Sequence, residues 1–274
     1  MPANERGVDE GSPLLRHSRA KPTVPSKPRW RRHLTEQVSR ERADVVLVFC
    51  YLITGLLDSA SISVWGSFVS MQTGNTIYIA LGLASPSLST RWIKSSVSVL
   101  SFCVGSFIFS RFHRFFSPKR RWVMCVSFTA QLLLTAVAAS LVAVAGTGTG
   151  TGPPSDTEEV GWQVLVPIAL LAFQSCGQAI ISRALRHNAL NSVALTANYC
   201  DLFSDVDLFA PRNAERNRRT AAPLCLLLGA FIGGKFAHSS VGVAGALWTA
   251  TALKALVVVV WLVWPAKPRP IGET

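Results

Sequence analysis

The sequence predicts an all-α, polytopic membrane protein of about six transmembrane helices, and three observations carry that prediction. Of 274 residues, 49% are hydrophobic and only 15% charged, where a soluble domain usually carries about 25% charged residues. The apolar residues are gathered in stretches at 45–64, 95–112, 121–145, 162–182, 222–238 and 241–264, each near the roughly 20 residues a spanning helix needs. The net charge of +12 is concentrated beside those stretches. A large soluble catalytic domain is excluded, because the longest polar stretch left over is the first 43 residues.

Residues 1–43 carry ten Lys or Arg and are rich in Pro and Ser, so they are expected to form a disordered, basic cytoplasmic tail. No apolar stretch falls in the first 30 residues, which argues against a secretory signal. Within the tail, Glu10-Gly11-Ser12-Pro13-Leu14-Leu15 resembles an acidic dileucine sorting signal. Glu10, Leu14 and Leu15 are therefore candidates for a sorting adaptor, with a vacuolar or related endomembrane as the expected destination and the plasma membrane as the alternative. A solvated tail is the plainer reading of so short a pattern.

The transmembrane domain is expected over 44–264, followed by a short cytoplasmic tail at 265–274. Lys and Arg are enriched on cytoplasmic flanks, and this orients the spans. The basic loops at 113–121 and 183–221, with Lys267 and Arg269, fall on the same side as both termini. The loop at 146–161 falls on the other side with Asp156, Glu158 and Glu159 and no basic residue. Arg91 and Lys94 run against this distribution. Trp92, Trp122, Trp162, Trp261 and Trp264 lie at span ends, where amphipathic rings suit the headgroup region.

The two halves match at an offset of about 123 residues. Residues 104–112 resemble 228–236, with Gly, Phe, Ile and Phe in register, and Thr73-Gly74-Asn75 pairs with Thr196-Ala197-Asn198. Each copy, 44–146 and 160–264, holds three spans, so the second is expected to lie inverted relative to the first. Inverted repeats are a common plan among secondary transporters, with the site near the midplane at discontinuous helices. Two further segments, 66–84 and 189–206, mix polar and apolar residues. They read as broken or re-entrant elements, since irregular backbone at membrane depth survives only where protein or a watery cavity covers it. A surface loop and a full seventh or eighth span are the alternatives.

Gly55-Leu56-Leu57-Asp58-Ser59-Ala60, with Phe68 and Gln72-Thr73-Gly74-Asn75, resembles the signature of the YoaK-like family, the domain of unknown function numbered 1275. The resemblance spans roughly 45–264. A second family signature is matched loosely by residues 172–176 and 196–197, departing at Ala172, Ser175 and Ala197. The long tail and acidic outer loop resemble fungal members. The resemblance implies a multi-spanning membrane protein and no settled activity.

The candidate chemistry is polar and sparse. Asp58 is the one acidic residue inside an apolar span, and an intramembrane carboxylate is costly enough to be a functional candidate by default; proton coupling is the role expected of it. Lys254 lies near the middle of the last span, where its stem cannot easily snorkel to an interface, so a pairing with Asp58 is attractive. Thr73, Asn75, Gln174, Gln178, Thr196 and Asn198 add uncharged donors and acceptors, with Gly74 expected to let the backbone unwind. Bonds between helices are the plainer reading of such groups, as close packing is for Gly105, Gly229, Gly233 and Gly234. No nucleophile elbow, zinc-protease pair, phosphate loop or dinucleotide fingerprint is present in the sequence, so no enzyme activity and no cofactor are expected. The six cysteines show no Cys-x-x-Cys pair and the histidines no ligand spacing, so no metal is expected. Neither is nucleic acid expected as a partner. The expected partners are the bilayer and an unidentified small solute. The function expected is a small-solute permease or proton-coupled transporter; a non-transporting scaffold or assembly factor is the alternative.

Overall fold

A backbone inside hydrocarbon has no water to bond, so each spanning segment must satisfy its own N–H and C=O groups, and the helix does this within one segment. The computed structural model describes residues 29–39, 43–117, 120–146, 160–185 and 195–265. The helices among them are α1 (Arg29–Thr35), α2 (Ala43–Trp65), α3 (Gln72–Ala84), α4 (Arg91–Phe115), α5 (Arg121–Ala145), α6 (Trp162–Ala184), α7 (Thr196–Phe203), α8 (Ala214–Ala237) and α9 (Gly242–Val263). Six of these, α2, α4, α5, α6, α8 and α9, are long and apolar enough to cross a membrane. They coincide with the six stretches read from the sequence. The sorting residues Glu10, Leu14 and Leu15, the acidic residues Asp156, Glu158 and Glu159, and Lys267 and Arg269 lie outside the described residues.

The spans divide into an inner pair and an outer set. The apolar windows of α2 and α6 are 67% and 61% buried, against 28% for α4 and α8 and 33% for α5 and α9. Each inner helix meets an outer one at a close crossing built from glycine. A Cβ on Gly55 would lie 2.1 Å from the Leu226 carbonyl oxygen of α8, and one on Gly229 would lie 2.0 Å from that of Leu52 in α2. Without side chains at these positions, the α2 and α8 backbones approach closely and gain dispersion contact, the force that associates helices in lipid. Gly105 brings α4 against Phe173 of α6 in the same way. Gly233 also meets the α2 backbone at Leu56, whereas Gly234 has only an ordinary contact with Ser59. The packing expected of these small residues is therefore present at three of the four.

One end of the bundle is basic and tightly tied. Arg218 at the start of α8 pairs with Asp44 at the start of α2, N···O 2.6 Å. The Arg121 side chain is 1% exposed; it donates to the carbonyls of His33 and Trp264 and lies near Glu36. Trp264 in turn donates to the Ser39 carbonyl. Part of the tail expected to be disordered, 29–39, is thus held against the ends of α5 and α9. The reason is tertiary: a buried guanidinium needs acceptors, and this segment supplies them. Trp261 corrects a second expectation. It is fully buried and stacks with Phe128, ring centroids 6.3 Å apart, so it is a core residue joining α9 to α5 and not an interfacial anchor.

Candidate functional site

Between α2 and α3 the chain turns back on itself. Gly66 adopts φ 72°, a left-handed conformation that costs glycine little, and the next residues run back along α2. Ser61 donates to the Ser67 carbonyl at 2.7 Å, and three residues deeper Asp58 accepts from the Val69 and Ser70 amides at 2.9 and 2.8 Å. The Ser70 hydroxyl donates to the other Asp58 oxygen. At about 1.5 Å per residue, this limb descends on the order of 10 Å from Trp65. Ser175 of α6 holds its deepest point by donating to the Val69 carbonyl at 2.9 Å. From there α3 returns along α4, with Asn75 beside Ser95 and Ser98 and Gly82 against Trp92. The 66–84 segment is therefore a re-entrant hairpin with one extended and one helical limb.

Asn75 locks that hairpin. It is fully buried; its oxygen accepts from the Phe68 amide at 3.0 Å, and its nitrogen donates to the Phe68 carbonyl at 2.8 Å and to Gln72 at 2.9 Å. Two neighbouring residues act differently from expectation. Thr73 is exposed, and Gly74 is helical, its missing side chain admitting the Phe68 ring, which a Cβ would meet at 2.9 Å. The unwound backbone lies at 66–71 instead. Asp58, too, is fully engaged: a carboxylate only accepts, and three donors converge on it.

A second polar cluster lies at the centre of the bundle. Lys254, fully buried and at mid-length in α9, donates to Gln178 of α6 at 2.7 Å and to Gln131 of α5 at 3.2 Å. The Gln178 nitrogen donates to Thr54 of α2 at 3.0 Å. Thr54 passes its proton donation to the Cys50 carbonyl at 3.0 Å. Four helices thus contribute one residue each. Among the described residues the Lys254 ammonium has two amide acceptors and no carboxylate partner. Asp58 and Lys254 do not pair; each is bonded elsewhere. Gln131 Nε2 and both amide atoms of Gln174 are buried without a hydrogen-bond partner, and Gln174 stands one helical turn from Gln178.

The remaining sequence candidates lie apart. Asn198 is buried and donates to the Arg219 carbonyl at 2.8 Å, while Thr196 is exposed. They sit at the basic end beside the first turns of α8, away from the hairpin on the other side of the bundle. Gln131 and Thr54 were not singled out by sequence reasoning. One signal could have found Gln131: it stands 123 residues before Lys254, the offset at which Thr73-Gly74-Asn75 aligns with Thr196-Ala197-Asn198.

Six apolar helices around a buried polar centre define a polytopic membrane protein. The chain belongs to the DUF1275 family, described as proteins of unknown function, whose model matches residues 46–260. That match runs from the first turn of α2 to the last turn of α9 and includes both polar clusters. Comparison with curated proteins and with solved structures gives no match.

Proposed function

We propose that the protein is a permease that passes a small solute through the bundle at the Thr54, Gln131, Gln178 and Lys254 centre. The observation that carries this reading is the lone ammonium at mid-span, bonded to amides and accompanied by unpartnered amide groups. An intramembrane charge costs several kcal/mol, and a purely structural bundle gains nothing from it that a leucine would not supply.

The second support is symmetry. The helices follow the order long, short, long, long twice, α2 to α5 and α6 to α9. Exchanging the two halves converts the α2–α8 packing into α6–α4 and the α5–α6 packing into α9–α2. Thr54 and Gln178 are 124 residues apart, and Gln131 and Lys254 are 123 apart. Under the inverted-repeat reading of 44–146 and 160–264, both bonded pairs join equivalent positions across the pseudo-twofold axis. That is where alternating-access transporters hold their solute. Rocking of one repeat on the other would open the centre to each side in turn.

In this proposal Asp58 is a positioning residue that pins the hairpin, and Lys254 contacts the solute. The full chain reconstituted in vesicles is expected to show saturable flux of a small polar solute, and Lys254→Met to abolish it while the helical content is kept. Vesicles that hold folded protein yet pass no member of a broad panel of sugars, amino acids, carboxylates and inorganic ions would favour the scaffold reading. Asp58→Asn that folds and loses only the pH dependence of flux would return Asp58 to proton coupling.

Membrane orientation and destination belong to the same proposal. The basic residues Arg111, Arg114, Arg183, Arg216, Arg218 and Arg219 gather at the end where α1 docks, which supports cytoplasmic termini. Routing to the vacuole or another endomembrane rests on Glu10, Leu14 and Leu15. Leu14→Ala with Leu15→Ala is expected to shift the protein to the plasma membrane, and unchanged localisation would remove the sorting role.

A further inference from the structure

The central cluster is unbalanced in both charge and hydrogen bonding. Lys254 Nζ has three N–H groups; Gln178 and Gln131 take two, and the third has no acceptor among the described residues. Gln178 cannot turn to supply another donor to the site, because its nitrogen is committed to Thr54 and its oxygen to Lys254. Gln131 points its oxygen at Lys254 and leaves its Nε2, on the same amide, without an acceptor. Beside that nitrogen stands Gly177, where a Cβ would lie only 2.7 Å from Nε2. A side chain there would collide with that amide, so glycine is what lets the Gln131 amide lie against the α6 backbone beside Lys254. Gln174, a turn along α6 from Gln178, adds a further unpartnered amide.

The nearest charge of opposite sign on α2 is Asp58, one helical turn beyond Thr54. Its oxygens are occupied by Val69 and Ser70, so it offers Lys254 no direct partner. The centre therefore presents one positive charge with spare N–H donors from Lys254 and Gln131, both fully buried. A cation would face a like charge there, and an uncharged solute would leave the ammonium uncompensated in a low-dielectric interior, where charges are tolerated only when paired.

We infer that the solute is a small monovalent anion, bound by the Lys254 ammonium and the unpartnered Gln131 amide nitrogen. One cation matches one negative charge, and two side chains with N–H groups match a halide, nitrate or formate. The inference rests on the permease reading for its site, but binding and passage are separable by experiment.

The test follows thermal unfolding of the full chain, purified in detergent, while sodium chloride, nitrate or formate replaces sodium gluconate at constant ionic strength. At least one of the three anions is expected to raise Tm saturably by several degrees, since a ligand that binds only the folded state stabilises it. Lys254→Gln is expected to lose that rise. Gln178→Glu provides a second variant of the same size: its carboxylate supplies Lys254 with an internal counter-ion and can accept from the Thr54 hydroxyl once that turns from the Cys50 carbonyl, so it should stay folded in gluconate and be insensitive to the anions. No saturable rise in the wild type with any of the three anions, or a wild-type response in Gln178→Glu, overturns the anion assignment. Flux of the same anions into vesicles separates the two claims. Binding without flux keeps the anion site and removes the permease, whereas Lys254-dependent flux of an uncharged solute without any anion response keeps the permease and removes the anion.

Discussion

The two polar interruptions of the bundle occupy corresponding places in the chain, yet they are built differently. The hairpin at 66–84 sinks into the protein and is tied at every level: Ser61 to Ser67, Asp58 to Val69 and Ser70, Ser175 to Val69, and Asn75 to Phe68, Gln72 and Ser98. α7 is short and lies beside the first turns of α8, where Glu215, Arg216, Arg218 and Arg219 stand. Its buried Asn198 has one described bond, to the Arg219 carbonyl, and leaves its own oxygen without a partner. The motif Thr-x-Asn is common to both. The neighbours are not: 66–84 is bonded to serines of α4 and to Ser175 of α6, whereas α7 lies beside the guanidinium groups of α8. The lesson is that a short polar motif specifies a bonding capacity and its packed neighbours specify the location.

The largest effect expected from breaking this difference is at the hairpin anchor. Asp58→Ala leaves two amides and a hydroxyl without their acceptor, and at about 1–3 kcal/mol for each buried donor so orphaned the loss is expected to be roughly 3 kcal/mol or more. Unfolding in mixed micelles should register that loss as a large fall in Tm, and a change under about 1 kcal/mol would mean that Asp58 does not hold the limb. A smaller but sharper test compares the two asparagines. Asn75→Ala should cost roughly 2–4 kcal/mol, from several buried bonds at about 1 kcal/mol each, and Asn198→Ala about 1 kcal/mol. Equal losses would make the two segments energetically alike and erase the contrast. The smallest effect is expected at the paired threonines, both exposed: Thr73→Ala and Thr196→Ala should each stay within about 0.5 kcal/mol and leave flux unchanged. A large loss at Thr73 alone would extend the hairpin's bonding to its outer face.

Much of the fold was legible because spanning length and apolar composition are local properties. The stretches at 121–145 and 162–182 coincide with α5 and α6 almost residue for residue, and the flanking charge marked the end where α1, Arg121 and Arg218 now meet. The re-entrant character of 66–84 was also readable, from Gly66 and the polar run Ser70 to Thr76 interrupting an apolar segment. Its details were not. Gly74 looked like the hinge and is helical, while Gly66 makes the turn, because which glycine must leave the helical region depends on how the limb meets α2. Residues 29–39 looked like free tail because nothing in their composition announces that Arg121 will be buried beneath them.

By itself, the sequence determined that the chain is a bundle of six apolar helices with a few costly polar residues inside, because the bilayer imposes length and hydrophobicity on each span separately. It singled out Asp58 and Lys254 as a pair of opposite charges, and there its authority ended. Only the tertiary structure decided that Asp58 spends its oxygens on Val69 and Ser70, and that Lys254 faces Gln131 and Gln178. Partner choice among buried polar groups depends on the rotation and crossing of whole helices. Those are set by backbone approaches such as Gly55 and Gly229 across α2 and α8, which bring together residues more than a hundred positions apart.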